Sequence, residues 1–230
     1  MQQASPSTAK AAVWMAGWLT LMLVIAVAGR EATRDVAVFQ LMLLRSSIGL
    51  LLLWPLLHAG GGRAAIRTRR LREHAARNLV HYAAQYGWFA ALTLIPLAQV
   101  VAIEFTMPVW TTLLAAAFLG ERITRCKLLA VALGLLGVAL VVRPQAAGLN
   151  AGHAVALAAA LGFAVSVTLT KSLTRSDDAL TIIFWMLVVQ SLLGVLPALA
   201  VWRWPAAAGW GWIVLVAFCG TFSHYCMARA

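Results

Sequence analysis

The sequence predicts an all-α, polytopic helical membrane protein, and three observations support this fold class: composition, hydropathy and the length of the apolar segments. Of the 230 residues, 63% are hydrophobic and 11% are charged, and the mean hydropathy is +0.87. Soluble domains are nearer about half apolar and about a quarter charged, so lipid must solvate the excess apolar surface. The composition therefore excludes a water-soluble globular domain.

The apolar segments are long enough to cross a bilayer as helices. A hydrocarbon core of about 30 Å requires about 20 helical residues at about 1.5 Å each. The first segment follows Lys10 and ends in an Ala-Val-Ala string like a signal-peptide cleavage site. Its 19 residues exceed a signal-peptide core, and another span follows at once, so we interpret it as an uncleaved helix. Eight spans are predicted: 11–29, 36–59, 78–95, 97–119, 126–142, 151–170, 179–202 and 209–228.

The distribution of basic residues predicts the orientation. If the N-terminus is cytoplasmic, 13 of the 18 Lys and Arg residues lie in cytoplasmic segments, 4 lie in external loops and Arg45 lies inside a span. Basic residues accumulate in cytoplasmic loops, so we predict a multi-pass inner (plasma) membrane protein with a cytoplasmic N-terminus. The arginines from Arg63 to Arg77 fall in one cytoplasmic loop, and we interpret them as topological determinants. The alternatives are a lipid-headgroup or a nucleic-acid patch, and no nucleic-acid partner is expected.

A run of motifs in the middle of the chain indicates a family. It contains AIEFTMPVW at 102–110, FLGERIT at 118–124 and a glycine-rich helix at 128–142. This combination resembles the EamA type of the drug/metabolite transporter superfamily, in which a mid-helix proline, an LGE turn and a glycine-rich helix end a five-helix repeat. The resemblance implies a helix kink at Pro108. It also implies a structural turn at Gly120, Glu121 and Arg122.

The resemblance further implies two five-helix repeats inserted with opposite orientation, so that eight of ten transmembrane helices would be present. Two helices of the second repeat would have no counterpart within the 230 residues. We therefore expect a C-terminally incomplete chain, with the bundle open on one side and the region around Glu104 more exposed than a working transporter allows. The expected organisation is a cytoplasmic N-terminus at 1–10, a first repeat at 11–143, an external linker at 144–150 and a second repeat, truncated after three helices, at 151–230.

Two charged side chains, Arg45 and Glu104, lie well inside the predicted spans. Each would cost about 2.5–3.5 kcal/mol at a helix centre if it had no partner. Their predicted depths differ by only about 3 Å, so we expect them to form an ion pair. Two interpretations stay open. Glu104 binds a substrate amine or a coupling proton while Arg45 sets the pKa of Glu104 or faces a carboxylate, or the pair only fixes helix packing.

The residues near Glu104 indicate a cavity. Pro108 cannot donate a backbone hydrogen bond to the carbonyl of Glu104, and unpaired backbone at membrane depth is tolerated where it lines a cavity or is buried in protein. On the third span, His81 and Gln85 follow helical spacing. A lone membrane histidine is more often a packed, hydrogen-bonded residue than a proton relay. The further candidates for binding substrate or coupling ion are Tyr86, Trp110 and Thr111.

These features predict a secondary transporter, most simply an exporter, of a small polar metabolite such as an amino acid, working by alternating access. The narrowing to amino acids is implied by the resemblance alone. One alternative is a membrane-embedded enzyme that uses Glu104 and His81, and another is an inactive transporter fragment. The sequence contains no phosphate-binding loop, Ser-His-Asp set or metal-ligand cluster, so no cofactor and no metal are expected. The expected partners are the bilayer and the solute, with a coupling proton and a homo-oligomer left open.

Overall fold

The computed structural model of the protein describes residues 8–59, 62, 66–120, 123–143 and 148–229. The predicted turn residues Glu121 and Arg122, the start of the N-terminal segment and part of the 144–150 linker lie outside these residues. The described residues form α-helices and no β-strand, which confirms the all-α prediction. The helices are α1 (Thr8–Ala32), α2 (Val38–Ala59), α3 (Leu71–Leu94), α4 (Leu97–Glu104), α5 (Met107–Leu119), α6 (Arg125–Val142), α7 (Ala151–Leu173), α8 (Ala179–Ala200) and α9 (Ala207–Arg229).

The fourth predicted span consists of two helices, because α4 ends at Glu104 and α5 begins at Met107. Pro108 lies in the first turn of α5, where a missing N–H costs little because the first amides of a helix have no intrahelical acceptor. Gly120 ends α5 in the left-handed conformation, with φ of 69°. A residue with a side chain rarely adopts this conformation, so glycine suits the position.

Helix α3 begins at Leu71, seven residues before the predicted third span. Among the described residues, seven segments are long and apolar enough to span a membrane, and α3 is not one of them. Its buried face is polar and includes His74, Arg77 and Asn78. The placement of Arg77 in a cytoplasmic loop is therefore wrong: this arginine lies inside α3 and is 1% exposed. It faces protein instead of lipid.

The closest helix pairs in the bundle are α1 with α9, α2 with α8 and α3 with α7. Suppose that α7, α8 and α9 are the counterparts of α1, α2 and α3. The contact of α1 with α9 then corresponds to the contact of α7 with α3, and the contact of α2 with α8 corresponds to itself. Two inverted three-helix units related by a two-fold axis would pack in this way. Close approach is built in at Gly162 of α7, where a Cβ would lie 2.8 Å from the Cβ of Ala84 on α3.

Helices α5 and α6 lie at the margin of the bundle. Each has one buried residue, Ala115 and Val142 respectively. A groove of about 820 Å³ separates α4 and α5 from α6, so the bundle is open on this side. Glu104 itself is buried, with 9% of its surface exposed. Trp88 contacts its carboxylate from the protein side.

Candidate functional site

A small cavity of about 80 Å³ lies among α1, α2, α3, α7 and α9; it is here called the polar cavity because buried polar side chains interrupt its apolar lining. Helix α2 supplies Arg45 and the end of α4 supplies Glu104, so these two residues line one cavity. The neighbouring apolar lining includes Trp18 and Met22 of α1. The other polar residues that line the cavity are His81, Gln85, Trp88, Ser223 and His224.

Arg45 and Glu104 do not form the expected ion pair. The carboxylate of Glu104 accepts a hydrogen bond from Nε1 of Trp88. The guanidinium of Arg45 lies against Gly220 of α9, where a Cβ would come within 3.0 Å of one terminal nitrogen. Ion pairs are instead seen between Arg34 and Glu31, between Arg70 and Glu73 and between His74 and Asp177. Equal depth in the membrane did not identify the partner because α2 packs mainly on α8 and α9, whereas α4 packs on α6 and α7.

His81 is hydrogen-bonded and packed. Its Nδ1 lies 3.1 Å from Oγ of Ser166 on α7, and its ring centroid lies 5.0 Å from that of His224 and 5.2 Å from that of Phe163. Gln85 is 5% exposed, and its Oε1 has no hydrogen-bond partner. Buried polar atoms are nearly always paired, so an unpaired amide oxygen beside a cavity indicates that a ligand or water completes its bonding.

An apolar groove of about 520 Å³ adjoins the polar cavity, and Glu104 lines both. Thr111 and Pro108 line this groove, and the Thr111 hydroxyl is buried without a hydrogen-bond partner. Two candidates from the sequence line neither space. Tyr86 is 36% exposed and stacks on Phe39 with ring centroids 4.3 Å apart, and Trp110 donates to Oγ1 of Thr106.

One end of the bundle is closed by a polar cluster, here called the Asp177 end, formed by Thr68, Arg70, His74, Ser172 and Asp177. Asp177 lies between α7 and α8 and accepts hydrogen bonds from Thr68 Oγ1 at 2.6 Å and from His74 Nε2 at 2.7 Å. Arg70 donates to the Ser172 carbonyl at 2.7 Å. Burial raises the pKa of Asp177, but hydrogen bonds from His74 and Thr68 outweigh burial and hold that pKa below its ordinary value.

Arg77 lies one helical turn inside this cluster and was missed by the sequence reasoning. Its Nε donates to Oγ1 of Thr170 at 3.0 Å, and a terminal nitrogen donates to the Asn78 side chain at 2.7 Å. The signal that could have found it is the polar stripe of α3, in which His74, Asn78, His81 and Gln85 recur at helical spacing. That stripe begins before the apolar run that defined the span.

The opposite end of the bundle, here called the Asp35 end, is closed by Asp35, Gln40, Arg203 and Ala206. The carboxylate of Asp35 accepts a hydrogen bond from the backbone N–H of Ala206 at 2.8 Å. The buried Gln40 side chain donates to the Arg203 carbonyl and accepts from the Arg203 N–H at 3.0 Å. Each end therefore joins α1 to α3 with α7 to α9 through an aspartate in a short helix connection.

Comparison with known sequences gives consistent matches. The sequence profile of the EamA-like transporter family matches residues 9–143. A riboflavin transporter of Brucella anthropi is 34% identical over 142 residues, which are 62% of this chain and 50% of that protein. An S-adenosylmethionine uptake transporter of Rickettsia prowazekii is 22% identical over 169 residues, which are 74% of this chain and 58% of that protein. The pseudopaline exporter CntI of Pseudomonas aeruginosa is 26% identical over 168 residues, 72% of this chain and 58% of that protein.

The chain thus spans about half the length of these relatives. Comparison with solved structures finds a crystal structure that superposes with a TM-score of 0.71 at 22% identity. The superposition covers 97% of this chain and 80% of that chain. At this level of identity the likeness supports the helical fold.

Proposed function

Since the chain belongs to the EamA-like transporter family, we propose that it is a secondary transporter that moves a small polar metabolite, such as an amino acid, across the inner membrane. Membership of a transporter family excludes the membrane-enzyme alternative. The observation that carries the proposal is the cavity that holds Arg45 and Glu104 without an ion pair between them. Charged side chains inside membrane helices mark substrate or ion pathways.

Alternating access is proposed to occur between the two helix sets α1–α3 and α7–α9. Two observations support this mechanism. The two sets pack on each other in a way that is unchanged when they are exchanged, and an aspartate closes each end. In a transporter with inverted repeats, one set rocks against the other around a fixed central site, so each end opens in turn. Breaking the Asp177 end exposes the cavity to one side of the membrane, and breaking the Asp35 end exposes it to the other.

Glu104 is proposed to bind the coupling proton or the amine of the solute. It lines both the polar cavity and the apolar groove, so a solute that moves between them passes its carboxylate. The helix breaks between Glu104 and Met107, next to this carboxylate, and Pro108 lies in the first turn after the break. A helix that breaks at membrane depth places polar backbone where a solute can reach it.

The Asp177 end is proposed to face the cytoplasm, because the predicted cytoplasmic segments still hold 12 of the 18 basic residues once Arg77 is assigned to α3. We expect a cysteine that replaces the exposed Arg69 to react with an impermeant maleimide only from the cytoplasmic side. A cysteine that replaces the exposed Leu149 should react only from the other side. The background is a chain with Cys126, Cys219 and Cys226 replaced. The reversed pattern would overturn the orientation.

Transport itself is tested by solute counterflow in proteoliposomes that contain the purified chain. We expect saturable exchange of at least one member of a panel of amino acids, small organic acids and organic cations, and release of the same solute from cells that express the chain. Export is the proposed direction, in line with the relative named as an exporter. Absence of exchange by correctly folded protein would favour the inactive-fragment alternative and contradict the proposal.

A further inference from the structure

Arg45 is a buried guanidinium without a partner. It is 4% exposed and makes no hydrogen bond or ion pair with any residue that the structure describes, and its Nε is buried without an acceptor. Arg77 is buried to the same degree but donates to Thr170 and Asn78. A buried charge that lacks a partner costs free energy, so a site that retains one gains from a partner supplied by a ligand.

The backbone of α9 supports one face of this guanidinium. A Cβ at Gly220 would lie 3.0 Å from a terminal nitrogen of Arg45, 3.3 Å from Cζ and 3.4 Å from Nε. These similar distances place the glycine over the plane of the guanidinium. The N–H bonds at the edge of the guanidinium therefore do not point at α9 and can reach a ligand. A guanidinium edge matches a carboxylate with two parallel hydrogen bonds.

Among the described residues that line the polar cavity, one is acidic, Glu104. Its carboxylate is hydrogen-bonded to Trp88 and forms no ion pair with Arg45. The remaining polar groups on α3 and α9 are His81, Gln85, Ser223 and His224, and none of them is negatively charged. Arg45 is therefore left without an anionic partner in this arrangement, and a ligand that enters the cavity can supply one.

The size of the two spaces indicates which part of a solute reaches Arg45. The polar cavity of about 80 Å³ is much the smaller of the two spaces and suits a small polar group such as a carboxylate. The adjoining groove of about 520 Å³ is lined mainly by apolar side chains and accommodates a larger, less polar body. We propose that Arg45 binds the carboxylate of the transported solute, so that the substrates of this chain are organic carboxylates.

This inference rests on the proposed transport function, and matched solutes separate the two. The counterflow panel includes each acid together with its amide, which has nearly the same size but no charge. We expect the acids to exchange and the amides to fail. In Arg45→Gln the KM for the acids should rise about 10- to 100-fold, as expected for the loss of hydrogen bonds between charged groups, and Arg45→Lys should lie between. Arg34→Gln, at an exposed ion pair, is the control and should leave KM unchanged.

Thermal unfolding of the detergent-solubilised protein tests the site without transport. Without solute, Arg45→Gln should unfold at the same temperature as the wild type or a higher one, because it removes a buried charge that has no partner. Millimolar acid from the panel should raise the wild-type midpoint and leave that of Arg45→Gln unchanged. A lower midpoint of Arg45→Gln without solute would indicate a structural role and overturn the inference.

The remaining outcomes also decide between the proposals. Amides that exchange as well as the acids would overturn carboxylate binding but leave transport standing. Chloride that stabilises the wild type as strongly as the acids would assign the site to an inorganic anion and overturn it. If nothing exchanges, the transport proposal fails, and stabilisation by acids that depends on Arg45 would still support the binding site.

Discussion

Glu104→Gln is expected to reduce transport to less than about one tenth of the wild-type rate. Glu104 is the one acidic residue among the described residues that line the polar cavity, and a neutral amide neither exchanges a proton nor attracts an amine. Glutamine keeps the size of the side chain and an oxygen that can accept the Trp88 hydrogen bond. The fold should therefore survive. The loss should appear as a failure of solute counterflow at unchanged protein content and unchanged thermal midpoint.

The matched control for this prediction is Glu73→Gln. Glu73 lies at the start of α3, its side chain is 50% exposed, and it pairs with Arg70. Exposed ion pairs contribute about 0–1 kcal/mol to stability, so this variant should transport within about two-fold of the wild type. If Glu104→Gln and Glu73→Gln reduced counterflow equally, Glu104 would not be the coupling or substrate residue.

Asp177→Ala is expected to open one end of the bundle. The Asp177 side chain is 6% exposed and accepts from Thr68 and from the fully buried His74, whose other ring nitrogen already lacks a partner. Removing the carboxylate leaves a buried imidazole unsatisfied, at a cost of about 1–3 kcal/mol to the closed state. A shift of that size changes the closed-to-open ratio by about 5- to 150-fold.

The opening can be measured at Leu173, which is 1% exposed behind the Asp177 end. In the cysteine-free background, a cysteine at this position should react with maleimide faster in Asp177→Ala than in the parent, by a factor within that range. The neighbouring Asp178 is exposed and makes no hydrogen bond to cap α8, so Asp178→Ala should leave the rate unchanged. Equal rates in the two alanine variants would refute a closing role for Asp177.

The pH dependence of this contact follows from the lowered pKa of Asp177. Because the closed state holds that pKa below its ordinary value of 3.8, the contact stabilises closure above this value and loses its effect as the pH falls through the lowered pKa. The Leu173 reporter should therefore react at a rate that is flat from neutral pH to about pH 4, once the intrinsic reactivity of the thiol is corrected for. Opening should begin only in more acidic buffer.

The sequence predicted the helices that are apolar enough to face lipid. It did not predict the features that depend on contacts between helices. Apolar runs near 20 residues located α2, α6, α7 and α8 to within a few residues, because a single chain segment contains all the information on its own length and hydropathy. The position of Pro108 located the helix break for the same reason. Both signals are local in the chain.

The start of α3 and the partners of the charged residues could not be found in this way. Hydropathy averages over all faces of a helix, so the buried polar stripe of α3 lowered the average and concealed a helical turn that contains His74 and Arg77. Depth along the membrane constrained one coordinate of Arg45 and Glu104 and left their rotation and neighbours undetermined. The contacts with Gly220 and Trp88 depend on which helices pack together.

The packing of α1–α3 against α7–α9 has an energetic consequence for the proposed transport cycle. Both ends of the bundle close through a carboxylate and a few hydrogen bonds between the helix sets α1–α3 and α7–α9, so the two proposed half-cycles break contacts of the same chemical kind. In a carrier built in this way, no conformational step by itself drives net flux in one direction. Its two open conformers would differ in free energy through the side chains that distinguish the ends and through α4, α5 and α6, and the direction of net flux would be set by the chemical potentials of the solute and of the proposed coupling ion. Such a carrier runs backwards whenever those gradients are reversed.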